Sequence, residues 1–417
     1  MRALVFGELP DPLPPPPAPD APRLVHHLAS TPMVLRDLPD PELRGPDWAV
    51  LRTRLTGICG SDTKQVLMDF DDAADSPMTA FISFPQVLGH EVVATVEEAG
   101  PDAGVEPGQR VVLNPWLSCE VRGLSPPCPA CEEGDYSLCW HFHDGSLATG
   151  IHTGNSSDAT GGFAELLPAH RLMMVPVPDE VTDEVAVLAD PFSVSLHAVT
   201  RTPPPPGGKV VVYGAGALGT CAVAVLRALH PDVEVATVAR WPAQAALAAH
   251  LGSQTFAPEP RQQLIEELAG WSGGVLRQPW EGLPIAWPGA VDVVYDTVGA
   301  PDTFEVGLRV VASRGSIVQL GVGSVARCEW TPLYFKEARW VGSNAFGVEE
   351  VDGVRRHAIA HYLDLAATGR IDLSGLLTHT FTLDAWRDAF QTLIDQGETG
   401  AIKCAFDLRG GAGGPSS

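Results

Sequence analysis

A glycine-rich turn in the middle of the chain constrains the fold more than any other feature. An apolar strand-like run at residues 210–213 leads into Gly214, Gly216 and Gly219, and an apolar helical pattern over residues 220–229 follows. Bare backbone at the N-terminus of a helix can receive a pyrophosphate. A tight strand-to-helix turn without a ligand is the alternative, but such a turn does not need glycine at all these positions. The pattern therefore predicts a dinucleotide site in an α/β domain.

Strand-like and helix-like stretches alternate after this turn. Strands are predicted at residues 233–238, 291–295 and 316–320, with a helix at residues 243–251. Such alternation implies parallel strands joined by crossover helices. Residues 271–289 are rich in Trp, Gly and Pro and interrupt the pattern, so an inserted surface loop is predicted there.

The first part of the chain has a different pattern. Short β-type runs, such as residues 92–96 and 110–113, are separated by Gly and Pro up to about residue 185. This predicts a compact, barrel-like domain. A chain of 417 residues is too long for one ordinary core, because domains tend to split beyond ~250 residues.

The end of the chain is predicted to rejoin the first domain. An amphipathic helix is expected near residues 354–367 and another helix begins at Asp384, while the Gly-rich residues 409–417 are expected to be disordered. We therefore predict a first domain over residues 1–188, a cofactor domain over residues 189–346, and a return to the first domain over residues 347–417.

Charge and cysteine content exclude several classes of partner. The chain has 27 Lys and Arg against 51 Asp and Glu, a formal net charge of −24, which repels nucleic acid and anionic lipid. It shows neither a signal-like start nor an apolar run of ~20 residues, so we expect a cytoplasmic protein that does not span a membrane. Thiols stay reduced in that compartment, so its cysteines are better explained by metal binding than by disulfides.

Four of the cysteines cluster in sequence. Cys128 and Cys131 have the usual two-residue chelating spacing, and Cys119 and Cys139 could complete a tetrahedron. Scattered buried cysteines are the alternative. Because four thiolates leave no open coordination position, the cluster predicts a structural zinc ion that performs no chemistry.

A second set of candidate metal ligands combines different donor types. Cys59, followed by Ser61, and the pair His90 and Glu91 supply a thiolate, an imidazole and a carboxylate. These are the donors that catalytic zinc prefers. A buried Cys and an unrelated core His are the alternative.

The end of the second strand of the cofactor domain predicts the choice of cofactor. NAD enzymes place Asp or Glu there, ~20 residues after the glycine motif, to bind the ribose hydroxyls. This chain has Ala239 and then Arg240, whereas Glu234 lies too early, at the start of the strand. A guanidinium without a carboxylate suits the 2′-phosphate of NADP, so we predict a preference for NADP over NAD. A surface Arg beside a space-filling Ala is the alternative.

These motifs, in this order, resemble the zinc-dependent medium-chain alcohol dehydrogenase family, and more closely its sorbitol and threonine (polyol) dehydrogenase branch. The resemblance spans nearly the whole chain. It implies an α/β protein with a GroES-like β-barrel catalytic domain and a doubly wound parallel-sheet (Rossmann) cofactor domain. The motifs that carry it are residues 57–62, 89–91, the four-cysteine loop, 161–165, 189–198 and 214–219.

The resemblance also implies roles for single residues. Cys59 and His90 would bind the catalytic zinc, Glu91 would lie beside it and sometimes bind it, and Ser61 would pass the proton of the alcohol outward. The family branch usually has Glu where this chain has Asp190, so the remaining ligand is one methylene shorter, and a bridging water is expected.

The structural loop is a second departure from the family pattern. The family places its first Cys where this chain has Ser125, so we predict that a longer loop, residues 120–127, brings Cys119 to the metal. Five histidines are candidates for further metal ligands, but we expect His197 to be a core or interface residue and His141 and His143 to border the substrate cleft. The histidines are His141, His143, His152, His170 and His197.

The predicted function is hydride transfer between a small alcohol or polyol, or its carbonyl product, and NADP. The predicted cofactor contacts are Gly214, Gly216, Ala217, Leu218, Gly219, Ala239, Arg240, Thr297, Val298 and Gly321. The alternatives are a zinc-free quinone or enoyl reductase of the same fold and a non-catalytic nucleotide-binding relative. Family likeness implies a homodimer or homotetramer. Residues 69–84 and 139–154 are expected to set the substrate, which no motif identifies.

Overall fold

The computed structural model describes residues 1–13, 15–68, 77–323 and 327–410. Strands and short helices make up the first part of the chain. The strands are β1 (Arg2–Phe6), β2 (Met33–Asp37), β3 (Trp48–Gly57), β4 (Gln86–Val87), β5 (Glu91–Ala99), β6 (Arg110–Leu113), β7 (Leu166–His170) and β8 (Met174–Pro176). The helices are α1 (Arg23–Ser30), α2 (Gly60–Val66), α3 (Pro129–Glu133) and α4 (Asp183–Ala186), with 3₁₀ turns at Pro77–Phe81, Tyr136–Leu138 and Arg171–Met173.

The middle of the chain alternates strands and helices. The strands are β9 (Lys209–Tyr213), β10 (Glu234–Val238), β11 (Gln254–Phe256), β12 (Leu276–Arg277), β13 (Ile285–Ala286), β14 (Val291–Asp296), β15 (Val311–Gln319) and β16 (Arg339–Gly342). The helices are α5 (Ala189–Arg201), α6 (Ala217–Leu229), α7 (Pro242–His250), α8 (Arg261–Ser272), α9 (Pro301–Val310) and α10 (Thr331–Phe335).

The last part of the chain contains β17 (Val348–Val351), β18 (Val354–His357), β19 (Leu377–Phe381) and β20 (Lys403–Asp407). Its helices are α11 (Ala358–Ala367), α12 (Trp386–Ile394) and α13 (Gln396–Thr399), with a 3₁₀ turn at Leu383–Ala385 before α12. No helix within the described ranges is long and apolar enough to cross a membrane.

Strand β3 lies at the centre of the first sheet. It pairs antiparallel with β5, β7 and β20, and the sheet continues through β6 to β8. Because it has neighbours on both edges and apolar layers on both faces, most of its residues are buried, including Leu51 and Leu55. The pairing of β20 with β3 returns the end of the chain to this sheet.

The second sheet is parallel and has the strand order β11-β10-β9-β14-β15-β16. The chain runs outward from β9 through β10 to β11, and then outward on the other side from β14 through β15 to β16. The order therefore reverses between β9 and β14. In open α/β sheets a ligand binds at such a switch point, outside the carboxyl ends of the strands.

Two predictions of local structure were wrong in part. Residues 354–357 were predicted as helix, but they form β18 and pair with β17, because Asp352 and Gly353 both have positive φ, +52° and +76°. Such a two-residue Asp-Gly turn matches the twist of a hairpin. In the predicted loop 271–289, the first two residues complete α8 and β12 pairs with β13.

Candidate active site

The sheet register brings the candidate ligands of the first metal site together. Gly57, at the end of β3, pairs with Glu91, at the start of β5. Cys59 therefore lies two residues beyond one partner, and His90 one residue before the other. Their ligand atoms and that of Glu91 all lie within 4.8 Å of one another.

Gly89 allows the approach of His90 to this point. Its φ is +91°, and a Cβ atom there would lie 2.4 Å from the ring of Phe163. The positive φ excludes a larger residue, since only glycine adopts this backbone conformation without strain. The short distance to Phe163 excludes it a second time, because a side chain would overlap the ring. Glycine is therefore required at position 89 so that the backbone can pack against Phe163 of the 161–165 motif.

Asp62 connects Cys59 and His90. One carboxylate oxygen accepts a hydrogen bond from the backbone N–H of Cys59, at 2.9 Å, and the other lies 3.7 Å from Nδ1 of His90. Burial would lower the pKa of His90, but Asp62 and Cys59 raise it well above its usual range. The site is thus rich in negative charge, as expected of a set of residues that binds a cation.

Lys403 is a part of the site that the sequence reasoning missed. Its ammonium forms a buried ion pair with Glu91 and donates a hydrogen bond to the carbonyl of Ile58, at 2.9 Å. Burial alone would lower the pKa of Lys403, but the negative charge of Glu91 has the opposite effect, and the pKa of Lys403 is raised above its usual value. No local motif marks this residue, because β20 lies more than 300 residues from both partners.

Asp190 and Ser61 lie near this set but outside it. Asp190 is buried in the first turn of α5, and burial raises its pKa to about 7. It does not belong to the group whose ligand atoms converge within 4.8 Å. Ser61 is exposed in the first turn of α2, two residues after Cys59.

The four clustered cysteines converge in space. The sulfur atoms of Cys119, Cys128, Cys131 and Cys139 lie within 4.8 Å of one another. A hydrogen bond from Cys131 lowers the pKa of Cys139 to about 5. Backbone N–H groups also point at sulfur, including that of His141 at Cys139, 3.4 Å away. These features fit a metal ion that is bound by thiolates.

A buried guanidinium supports the same lobe. Arg122 is fully buried, and it donates hydrogen bonds to the carbonyls of Leu117, Asp144, Leu147, Ala148 and Gly150. It ties the turn after Cys119 to the loop that follows Cys139. No sequence motif indicates this role, because a single Arg in a loop is usually exposed.

The glycine-rich turn lies at the switch point of the parallel sheet. Gly214 has a φ of +100°, and Gly216 is the N-cap of α6, which begins at Ala217. A Cβ atom on Gly219 would lie only 2.0 Å from the carbonyl oxygen of Gly214. Bare backbone is therefore required here, at the N-terminus of α6, where a helix can receive an anion.

Three further predicted cofactor contacts surround this turn. Thr297 follows β14 and donates a hydrogen bond to the carbonyl of Tyr213, at 2.9 Å. Val298 is exposed. Gly321, which follows β15, lies so close to Val298 that a Cβ atom on Gly321 would be 2.3 Å from the carbonyl carbon of Val298. Lys64, on α2, donates a hydrogen bond to the carbonyl of Val322 and so links α2 to the loop that follows β15.

The predicted ribose contact follows β10. Ala239 is buried, whereas Arg240 is exposed and lies over the ring of Trp241, 4.8 Å from its centroid. Leu218, in the first turn of α6, is partly buried. The guanidinium of Arg240 has no carboxylate within 4.0 Å in the described part of the chain, which leaves it open to an anion.

The predicted additional histidines have separate environments. His197 is buried and bonded to Glu349, and His170 is bonded to Asp47. His141 bonds to Asp144, and His143 packs against Phe81. His152 alone of the five packs against His90, with ring centroids 4.7 Å apart.

Of the loop at residues 69–84, the first eight residues, 69–76, lie outside the described residues, as do residues 411–417 of the predicted disordered tail.

Comparisons with known proteins agree with this geometry. Residues 45–179 match the alcohol dehydrogenase GroES-like domain, and residues 217–360 match the zinc-binding dehydrogenase domain. The chain is 29% identical to (R,R)-butanediol dehydrogenase of Saccharomyces cerevisiae, over 87% of this chain and 92% of the relative. It is 25% identical to sorbitol dehydrogenase of Bacillus subtilis, over 86% and 90%.

A solved structure shares the whole architecture. It is a protein of Sinorhizobium meliloti, described as a zinc-binding dehydrogenase and crystallised with NADP. The TM-score is 0.68 at 25% identity, over 90% of this chain and 96% of the other. The two domain matches and this shared fold confirm the predicted GroES-like and Rossmann-type architecture. The chain belongs to the zinc-dependent medium-chain alcohol dehydrogenase family.

Proposed function

We propose that the protein is a zinc-dependent dehydrogenase that transfers hydride between a small alcohol or polyol and NADP. One observation carries the proposal. The ligand atoms of Cys59, His90 and Glu91 converge within 4.8 Å, and α2, which follows Cys59, is bonded to the loop that follows β15 of the parallel sheet. This contact supports a cleft that the metal site and the dinucleotide cradle would share.

The donor types fit a zinc ion at each cluster. Thiolate, imidazole and carboxylate suit a catalytic ion with an open position, whereas the four thiolates suit a closed structural ion. When bound, the catalytic ion would polarise the substrate oxygen and lower the pKa of its hydroxyl group. Asp62 would orient His90, and Asp190 would act through a bridging water.

Ser61 would carry the proton that the substrate loses. It lies in the same first turn of α2 as Asp62, it is exposed, and its hydroxyl can both accept and donate a hydrogen bond. It can therefore take a proton from the substrate hydroxyl and pass one to solvent. The cleft between the two domains would exclude water from the position at which hydride is transferred.

The preference for NADP follows from the end of β10. Ala239 supplies no carboxylate for the ribose hydroxyls, and the exposed guanidinium of Arg240 suits a phosphate. The NADP bound to the Sinorhizobium meliloti protein supports the same choice. Stacking on Trp241 would hold the guanidinium in place without occupying its N–H groups.

We also propose a homo-oligomer that forms through the edge of the parallel sheet. Strand β16 is the last strand in the order, so its outer edge is unpaired within the described chain. Aromatic side chains nearby are exposed, a combination typical of protein interfaces. They are Trp330, Tyr334, Phe335 and Trp340.

Metal content per chain tests the proposal. Protein purified without chelators should contain about two zinc ions, and a Cys59→Ala variant about one, with loss of NADP-linked alcohol turnover. A Cys328→Ala variant, at a partly buried cysteine outside both clusters, is the matched control. About one zinc, unchanged in Cys59→Ala, would favour the zinc-free reductase. Zinc and NADPH binding without turnover of any alcohol or carbonyl would favour the non-catalytic relative.

A further inference from the structure

A short helix that belongs with the first sheet lies against the cofactor domain. Helix α13 (Gln396–Thr399) precedes β20, which pairs with β3 of that sheet. Helix α7 follows β10 of the parallel sheet, and Trp241 is its N-cap. The side chain of Gln244, on α7, donates a hydrogen bond to the side chain of Gln396, at 3.0 Å. The two domains therefore meet one residue after Arg240.

Glycine lets α13 approach α7 this closely. A Cβ atom on Gly397 would lie only 2.6 Å from the indole ring of Trp241, and one on Gly400 would lie 4.0 Å from Cβ of Ala243. The first distance is too short for a van der Waals contact, since carbon atoms are best separated by about 3.5–4.0 Å. The bare backbone of Gly397 is therefore the surface on which the indole ring of Trp241 rests.

The same indole ring carries the guanidinium of Arg240. Cζ of Arg240 lies 4.8 Å from the ring centroid, within the range of a cation–π interaction. A long, exposed side chain without such a contact samples many rotamers, and holding it in one of them costs conformational entropy. Trp241 therefore limits the positions of the guanidinium, and Gly397 limits those of the indole ring.

We propose that Trp241 and Gly397 are positioning residues for the recognition of the 2′-phosphate of NADP. Helix α13 seats the indole ring, and the ring holds the guanidinium of Arg240 at the end of β10. The choice of cofactor then depends on a residue of the other domain, which does not have to touch the cofactor. This inference rests on the proposed preference for NADP and adds the contact across the two domains that supports it.

Gly397→Ala tests these contacts without changing Arg240 or Trp241. The added methyl group displaces the indole ring, whereas the helix tolerates alanine, because the φ of Gly397 is not positive. Fluorescence titration of the zinc-loaded protein with NADPH and with NADH gives the ratio of the two Kd values. The preference for NADPH should fall by about two- to fivefold, the value of a cation–π contact at an exposed site.

Further variants check that the effect passes through the indole ring. Trp241→Leu should lower the preference by a similar factor, whereas Trp241→Phe, which keeps an aromatic face, should retain part of it. Gly270→Ala is the matched control. It adds a methyl group to an exposed glycine of α8, where a Cβ atom would meet nothing within 4 Å beyond its own stretch of helix in the described part of the chain. This variant should leave the ratio unchanged.

The double variant Arg240→Ala, Gly397→Ala shows whether the two residues act together. Because Arg240→Ala already removes the guanidinium, adding Gly397→Ala should not change the ratio any further. A further fall would overturn the inference, as would an unchanged ratio in Gly397→Ala or an equal weakening of NADPH and NADH. Each of these results leaves a wild-type preference for NADPH intact. A wild type that binds NADH as tightly as NADPH would contradict the proposed preference, and this inference with it.

Discussion

Lys403 forms a buried ion pair with Glu91, and both side chains are at most 4% exposed. The same ammonium donates a hydrogen bond to Ile58, the residue before Cys59. The C-terminal strand β20 therefore holds both sides of the proposed catalytic metal site. A cation at this position also offsets part of the negative charge that the ligands bring together.

We expect Lys403→Met to destabilise the protein by about 3–5 kcal/mol, because it leaves the buried carboxylate of Glu91 without a partner. Urea unfolding at neutral pH measures the free energy of unfolding. The double variant Lys403→Met, Glu91→Gln should recover much of the loss, since it removes both charges. A double variant that is as unstable as the single one would show that the ion pair is not the cause.

Cys119→Ser should remove about one zinc ion per chain and lower Tm, because the remaining three thiolates bind a structural ion less tightly. Metal analysis and thermal unfolding check this expectation. The control is Cys328→Ser, at a cysteine outside both clusters. Zinc content and Tm that stay at wild-type values in Cys119→Ser would rule out Cys119 as the fourth ligand.

The sequence could predict the chemistry of these sites because short motifs carry it. The glycine turn requires bare backbone, and the pair Cys128 and Cys131 has a chelating spacing. Lys403 and Arg122 escaped prediction, because their partners are distant in sequence or are backbone carbonyls that any residue type supplies. The hairpin of β17 and β18 differs from the predicted helix for a local reason, because the residues after Gly353 have apolar helical spacing but the Asp352-Gly353 turn determines the structure.

A buried carboxylate that belongs to neither metal cluster predicts a pH dependence of stability. Glu349 lies 2.5 Å from Nδ1 of His197 and accepts a hydrogen bond from the hydroxyl of Thr200, at 2.7 Å. Burial would raise the pKa of Glu349, but these bonds, the charge of His197 and that of Arg201 lower it below its usual value. Since the folded pKa is the lower one, the stabilisation is complete above the unfolded pKa and is lost as pH falls through the folded pKa.

Glu349→Gln should therefore cost about 2 kcal/mol at pH 7, the value of a hydrogen bond to a charged group. The difference from wild type should shrink below about pH 4, where the unfolded carboxyl group is protonated. Urea unfolding of both proteins at several pH values between about 4 and 7 measures this difference in the free energy of unfolding. Glu350→Gln, at the exposed neighbour on the same strand, should change little. A constant difference down to acidic pH would exclude the charge of Glu349 as its source.

The choice of cofactor can be tested at Arg240 alone. Arg240→Ala removes the proposed partner of the 2′-phosphate, and a charge-assisted hydrogen bond is worth about 1.5–3 kcal/mol. We therefore expect Kd for NADPH to rise by about 10-fold to 100-fold, whereas Kd for NADH, which lacks that phosphate, should not change. Fluorescence titration of both cofactors gives the ratio. Arg314→Ala removes an Arg that is 81% exposed and paired with Glu337, so it controls for the loss of one positive charge. If wild type binds NADH as tightly as NADPH, or if Arg240→Ala leaves the ratio unchanged, the guanidinium does not recognise the phosphate and Ala239 does not mark an NADP site.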